Sequence, residues 1–108
     1  MRIAFTFRQI ESSDAIKDYA TEKLKKLEKY LRAPLEADVT FSTERHLHCV
    51  DVALVSGSES YGGREDSEDM YASIDVVVDK LRKQLVRQHG QGKRQRRDSA
   101  GEPQARGE

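Results

Sequence analysis

The sequence predicts an α+β domain. Its expected form is a two-layer sandwich in the order β-α-β-β-β-α, a four-stranded mixed sheet with both helices on one face. Three observations carry this reading. Stretches with apolar residues at every second position alternate with stretches where they recur every three or four. Each of the helical stretches has one apolar stripe that it cannot hide alone. The chain has 108 residues, 36% of them hydrophobic, which suits one core and not two.

The elements follow in order. "RIAFTFR" sets Ile3, Phe5 and Phe7 on one face and Arg2, Ala4, Thr6 and Arg8 on the other, a half-buried strand. Ser12 or Ser13 then caps a helix with Asp14 in its first turn. From Asp14 to about Leu31 the apolar positions are Ile16, Ala20, Leu24, Leu27 and Leu31, and Pro34 blocks continuation. "EADVTFS" alternates again through Ala37, Val39 and Phe41. "LHCVDVALV" puts Val50, Val52 and Leu54 on one face and Cys49, Asp51, Ala53 and Val55 on the other. Gly57 and Ser58 suit a hairpin turn into a fourth strand through Tyr61, weakened by Gly62 and Gly63.

Ser67 is the expected cap of the second helix, with Glu68 and Asp69 in its first turn. Met70, Ile74, Val77, Val78, Leu81 and Leu85 form its apolar face, and Gly90 is the expected stop. Beyond it the chain has no aliphatic residue larger than alanine and no aromatic. That composition cannot offset the entropy of ordering, so residues 90–108 are expected to be a disordered tail after a domain spanning 1–89. The first helix joins the first two strands and should make a parallel crossover; the short later loops require antiparallel pairs. The sheet face with Arg2, Arg8, Asp38, Thr40 and Asp51 should meet solvent.

Basic and acidic residues balance, 19 against 19, which argues against a uniformly basic nucleic-acid binder but not against clustering. No apolar run is long enough for a bilayer, the opening lacks a signal peptide's apolar segment, and the one cysteine excludes an internal disulfide. The expectation is a cytoplasmic protein with no membrane partner.

The charges are not scattered. At about 100° per residue, Lys80, Lys83 and Arg87 fall within roughly 60° of one another beside the apolar face of the second helix. Lys23, Lys26 and Lys29 repeat the device on the first. Lys25 and Arg32 lie farther round, and Arg82 points elsewhere. The helix macrodipole accounts for Arg87 in the last turn but fades before Lys80. One such ladder is ordinarily a solvated helix face. Two ladders in one layer favour a basic patch for phosphates, with salt-dependent binding. The tail adds "KRQRR", the densest basic run, which includes Lys93 and Arg94. The acids Glu65, Asp66, Glu68 and Asp69 are expected to sit away from such a patch. Tyr30 and Tyr71 have the chemistry to stack on bases, but tyrosines beside an apolar stripe are more often boundary residues.

Catalytic chemistry is missing. His46, His48 and Cys49 lack a second ligand pair at metal-binding spacing. Ser12, Ser13, Asp14 and Asp51 form no nucleophile–base set. "GSESYGG" lacks the Lys-Ser/Thr of a P-loop. No enzyme activity, metal or cofactor is expected.

At "EDMYASIDVVVDKLRKQLVRQ" the chain resembles the ribosome hibernation promoting factor family, also called ribosome-associated inhibitor or sigma-54 modulation proteins. "ESSDAIKDYA" followed by "KLKKLEKY" is similar at the family's first helix, so two separated motifs agree. The resemblance covers roughly residues 1 to 89. It implies a fold like that of double-stranded RNA-binding domains. It also implies binding to the small ribosomal subunit and its rRNA in the mRNA/tRNA channel, with translation inhibited in stationary phase or stress. The family's basic positions match Lys23, Lys26, Lys29, Lys80, Lys83 and Arg87; Lys25, Arg32, Lys93 and Arg94 are candidate additional contacts. Gly63 stands where the family usually has alanine. The chain ends before the second domain of long members, so a short form, monomeric when free and not binding DNA, is expected. Its basic, mixed tail is nearer the branch that promotes ribosome dimers than the acidic-tailed branch. Two rival readings are a general double-stranded RNA-binding module and a protein-interaction regulator of a transcription or sugar-transport component.

Overall fold

The expected element order is the observed one. The computed structural model describes residues 1–31 and 34–94. It runs β1 (Arg2–Arg8), α1 (Asp14–Lys25), a 3₁₀ turn (Glu28–Tyr30), β2 (Leu35–Glu44), β3 (Leu47–Ser56), β4 (Glu59–Ser67) and α2 (Met70–Arg94). The four strands lie in the order β1-β2-β3-β4. β1 and β2 are parallel, with Ile3 opposite Ala37, Phe5 opposite Val39 and Phe7 opposite Phe41. The other two pairs are antiparallel. Gly57 has φ 64°, a backbone open to glycine at no steric cost at the first loop position of the β3–β4 hairpin. Arg45 takes φ 61° at the matching place between β2 and β3.

Both helices cover the same sheet face, because that is where every apolar stripe can be buried at once. Leu24 and Leu27 from the first helical segment, Val39, Phe41, Val52 and Leu54 from the sheet, and Ile74, Val77, Leu81 and Leu85 from α2 form one buried cluster. Phe7 packs on Phe41 at 4.9 Å between ring centroids, and Phe5 stacks on it at 5.9 Å. Each such side chain contributes about 1.5–3 kcal/mol on burial, so Leu81→Ala is the kind of single change that would open this core.

Four local details differ from expectation. The first helix tightens after Lys25: the Lys26 and Leu27 amides donate to the carbonyls three residues back, Lys23 and Leu24, and the 3₁₀ turn follows. Leu27 stays buried through the change. The cap of α2 is Asp69, not Ser67. A carboxylate oxygen of Asp69 accepts from the Tyr71 amide at 3.0 Å, and its carbonyl takes the first helical bond, from Ser73. Ser67 Oγ instead accepts from the Asp69 amide and bonds the hydroxyl of buried Ser73, which donates to the His48 carbonyl. Ser13 caps α1 as one of the two expected serines, accepting from the Ile16 amide.

β4 is a full strand of nine residues despite its glycines. Gly63 faces α2, and a Cβ there would stand 3.1 Å from Val77 Cγ2. Its lack of a side chain lets the helix lie close. Finally, α2 passes through Gly90, the expected stop, to Arg94. Interior glycine costs a helix about 1 kcal/mol and does not block it as proline would. The rest of the expected tail, 95–108, lies outside the described residues. No helix among the described residues is long and apolar enough to cross a membrane.

Candidate nucleic-acid interface

The α1 ladder faces α2. Lys23, Lys26, Lys29 and Tyr30 form one wall of a cleft of about 270 Å³, and Asp75, Val78, Asp79 and Arg82 of α2 form the other. Lys23 Nζ is 3.5 Å from Asp75 Oδ1, which also accepts the Tyr19 hydroxyl at 2.6 Å. That hydrogen bond, with burial, pushes the Tyr19 phenol above its ordinary pKa. Lys23 also lies over the Tyr19 ring at 5.2 Å, and Lys29 over the Tyr30 ring at 5.4 Å. Lys26 and Lys29 are exposed and form no ion pair with acids among the described residues.

The α2 ladder divides. Lys80 leans to the β4 side, its ammonium 2.6 Å from Glu65 Oε1. On that side Gln84 donates to the Gly62 carbonyl at 2.7 Å, and Arg87 borders a second cleft with Ser60, Tyr61 and Gln88. Lys83 stays on the outer ridge, 3.2 Å from Asp79 Oδ2. The expectation that the acids at 65–69 stand apart from the cations fails at Glu65. β4 brings it under α2, a contact across 15 residues of sequence that no helical periodicity reports.

Arg82 is the α2 cation that shares the α1 cleft. Sequence reasoning left it out because it is not in register with Lys80. Its own row with Asp75 and Asp79, at spacings of seven and three, was the available signal. Its guanidinium is 2.7 Å from Asp79 Oδ1. Hydrogen bonds from Arg82 first and Lys83 second hold the Asp79 carboxyl below the usual range, and the same contact raises Arg82.

The remaining candidates are less involved. Lys25 is exposed in the last turn of α1. Arg32 lies outside the described residues, as do the side chains of Lys93 and Arg94 at the end of α2. Tyr71 is 39% exposed and meets Tyr19 edge-on at 4.9 Å, while Tyr30 is partly buried against the core. Cys49 is a buried free thiol on the outer sheet face, opposite in direction to His48. That outer face mixes signs, with Arg2 near Glu36 and Arg64 near Asp51, each pair at 3.8 Å. The helix layer is therefore where cations outnumber acids: Lys25 at the end of α1, Lys26 just after it and Lys29 in the 3₁₀ turn are exposed, and α2 adds Lys83 and Arg87 on its exposed side.

Comparison with known proteins is consistent across sequence and structure. The family model described as Sigma 54 modulation protein / S30EA ribosomal protein matches residues 3–93. A Salmonella typhimurium protein named ribosome hibernation promoting factor is 35% identical over 88 residues, 81% of this chain and 92% of that protein. The Escherichia coli K12 protein of the same name is 34% identical over the same shares. The crystal structure of the Thermus thermophilus Protein Y N-terminal domain superposes with a TM-score of 0.77 at 32% identity, covering 81% of this chain and 98% of that one. A ribosomal subunit interface protein from Coxiella burnetii, 21% identical, shares the fold with a TM-score of 0.71 over 82% of this chain and 97% of its own.

Proposed function

Because the chain belongs to the Sigma 54 modulation protein / S30EA ribosomal protein family, we propose that it is a ribosome hibernation factor. It binds the small ribosomal subunit in the mRNA/tRNA channel and inhibits translation in stationary phase or stress. The observation that supports this most is the helix layer, where Lys26, Lys29, Lys83 and Arg87 are exposed on adjacent helices while the opposite sheet face is electrically mixed.

The mechanism is occlusion, not catalysis. The contact set is Lys23, Lys26, Lys29, Lys80, Lys83 and Arg87, with Lys25, Arg32, Lys93 and Arg94 as further contacts. Lysine and arginine on phosphates supply position and affinity, and the shape of the folded rRNA supplies selectivity. Lys23, Lys80 and Lys83 are tied to Asp75, Glu65 and Asp79, so a phosphate must displace a carboxylate there. The free cations make first contact. In this reading the domain expected over 1–89 runs on to the end of α2 at Arg94, acts in the cytoplasm as a monomer when free, and favours ribosome dimers.

A competition assay on purified small subunits tests the reading. Bound tRNA and mRNA should be displaced by the chain, and excess free duplex RNA should not relieve that displacement. Relief by free duplex would instead identify a general double-stranded RNA-binding module. Recovery of a protein partner without rRNA would identify a protein-interaction regulator.

A further inference from the structure

The cations of the helix layer are split by α2 itself. On its α1 side stand Lys26, Lys29 and Arg82 round one cleft; on its β4 side Arg87 borders another and Lys80 pairs with Glu65 of β4. A helix with its side chains is about 10–12 Å across, so the two cationic flanks are separated by about that width. The ridge between them is not cationic throughout. Val76 and Val86 stand 42% and 41% exposed, and Asp79 presents a carboxylate held ionised by Arg82 and Lys83. A phosphate laid along the ridge would meet two valines and Lys83, a cation already paired at 3.2 Å with Asp79, and would gain less there than on either flank.

We infer that α2 seats as a ridge between two phosphodiester strands of the folded RNA, the α1-side cations gripping one strand and the β4-side cations the other. The ridge then meets what lies between two backbones. Ribose 2′-hydroxyls donate to the Asp79 carboxylate, and sugar and base edges pack on Val76 and Val86. The wide, shallow minor groove of A-form RNA offers this sequence of backbone, sugar and base edge, and its hydroxyls distinguish it from DNA. The inference rests on the ribosome-binding reading and specifies how the partner is held.

Hydroxyl-radical cleavage of the rRNA backbone in a complex of small subunits saturated with the full chain tests it. The native chain should co-sediment and protect two separate backbone stretches that face each other across one groove. Lys26→Gln with Lys29→Gln should raise cleavage at least three-fold in one stretch only. Lys80→Gln with Arg87→Gln should do so in the other only. Arg87→Gln alone, which breaks no ion pair among the described residues, should reopen that second stretch in part. Far-UV circular dichroism confirms that each variant is folded. Co-sedimentation with one protected stretch, or with both variants reopening the same stretch, overturns the two-strand arrangement alone. Absence of co-sedimentation by the native chain overturns the ribosome-binding reading and this arrangement with it.

Discussion

Lys80 Nζ stands 2.6 Å from Glu65 Oε1, so a strand acid holds one of the helix cations that the sequence marks for phosphate. The pair is partly exposed, with Lys80 at 52% and Glu65 at 26% of full side-chain accessibility. Ion pairs of this kind contribute about 0–1 kcal/mol. Glu65→Gln should therefore cost stability little and free Lys80 for RNA. Small-subunit affinity should rise by about two- to five-fold, the equivalent of 1 kcal/mol or less. Filter binding at fixed salt measures it, and weaker binding would mean that Lys80 does not touch phosphate.

The Asp79 carboxyl offers a pH reading of the ridge. Arg82, then Lys83, lower its pKa in the folded state by hydrogen bonding the ionised form. Its contribution to stability is thus present above the unfolded value and lost as pH falls through the lower folded value. A carbon-detected NMR titration should show Asp79 titrating below 3.8, and Arg82→Gln should move it up more than Lys83→Gln does.

Tyr61 gives the opposite sign. Burial first, and then the hydrogen bond to Glu59, push its phenol from 10.0 up to about 12. The protonated phenol stabilises the fold below pH 10.0, and that contribution disappears as pH rises to about 12. Ultraviolet titration of phenolate should show a late step near 12 that Tyr61→Phe removes. Glu59→Gln should lower that step only part-way, because burial remains.

Gly63 is read more fully in three dimensions than in one. Its absent side chain looks like a weak point in a strand, yet a Cβ there would reach within 3.1 Å of Val77 Cγ2. Gly63→Ala should destabilise by about 1 kcal/mol, the lower end of the cost of overpacking. In a double-mutant cycle, Val77→Ala should absorb most of that cost, giving a coupling of about 0.5 kcal/mol or more by chemical denaturation. Additive effects would mean that α2 shifts freely over β4.

These cases mark what periodicity carries. Ile3, Phe5 and Phe7, or Ile74, Val77 and Leu81, declare their buried faces because a strand repeats every two residues and a helix every 3.6. Ser13 and Asp69 both cap helices, but Ser67 is an equally good acceptor two residues earlier, and only the fold selects between them. The Lys80–Glu65 pair and the cleft shared by Lys26 and Arg82 depend on how α2 lies on β4 and beside α1. A ladder drawn on one helix therefore identifies cations without saying which flank they serve. Arg82 shows the consequence, since it lies out of register with Lys80 and yet closes the α1 cleft.

Sedimentation of purified ribosomal subunits through a sucrose gradient tests the central claim most directly. The native chain should migrate with small subunits at moderate salt and leave them as salt rises. A folded variant with Lys26, Lys29, Lys83 and Arg87 all changed to glutamate should remain at the top of the gradient. A variant that still travels with the subunits would contradict the helix-layer account.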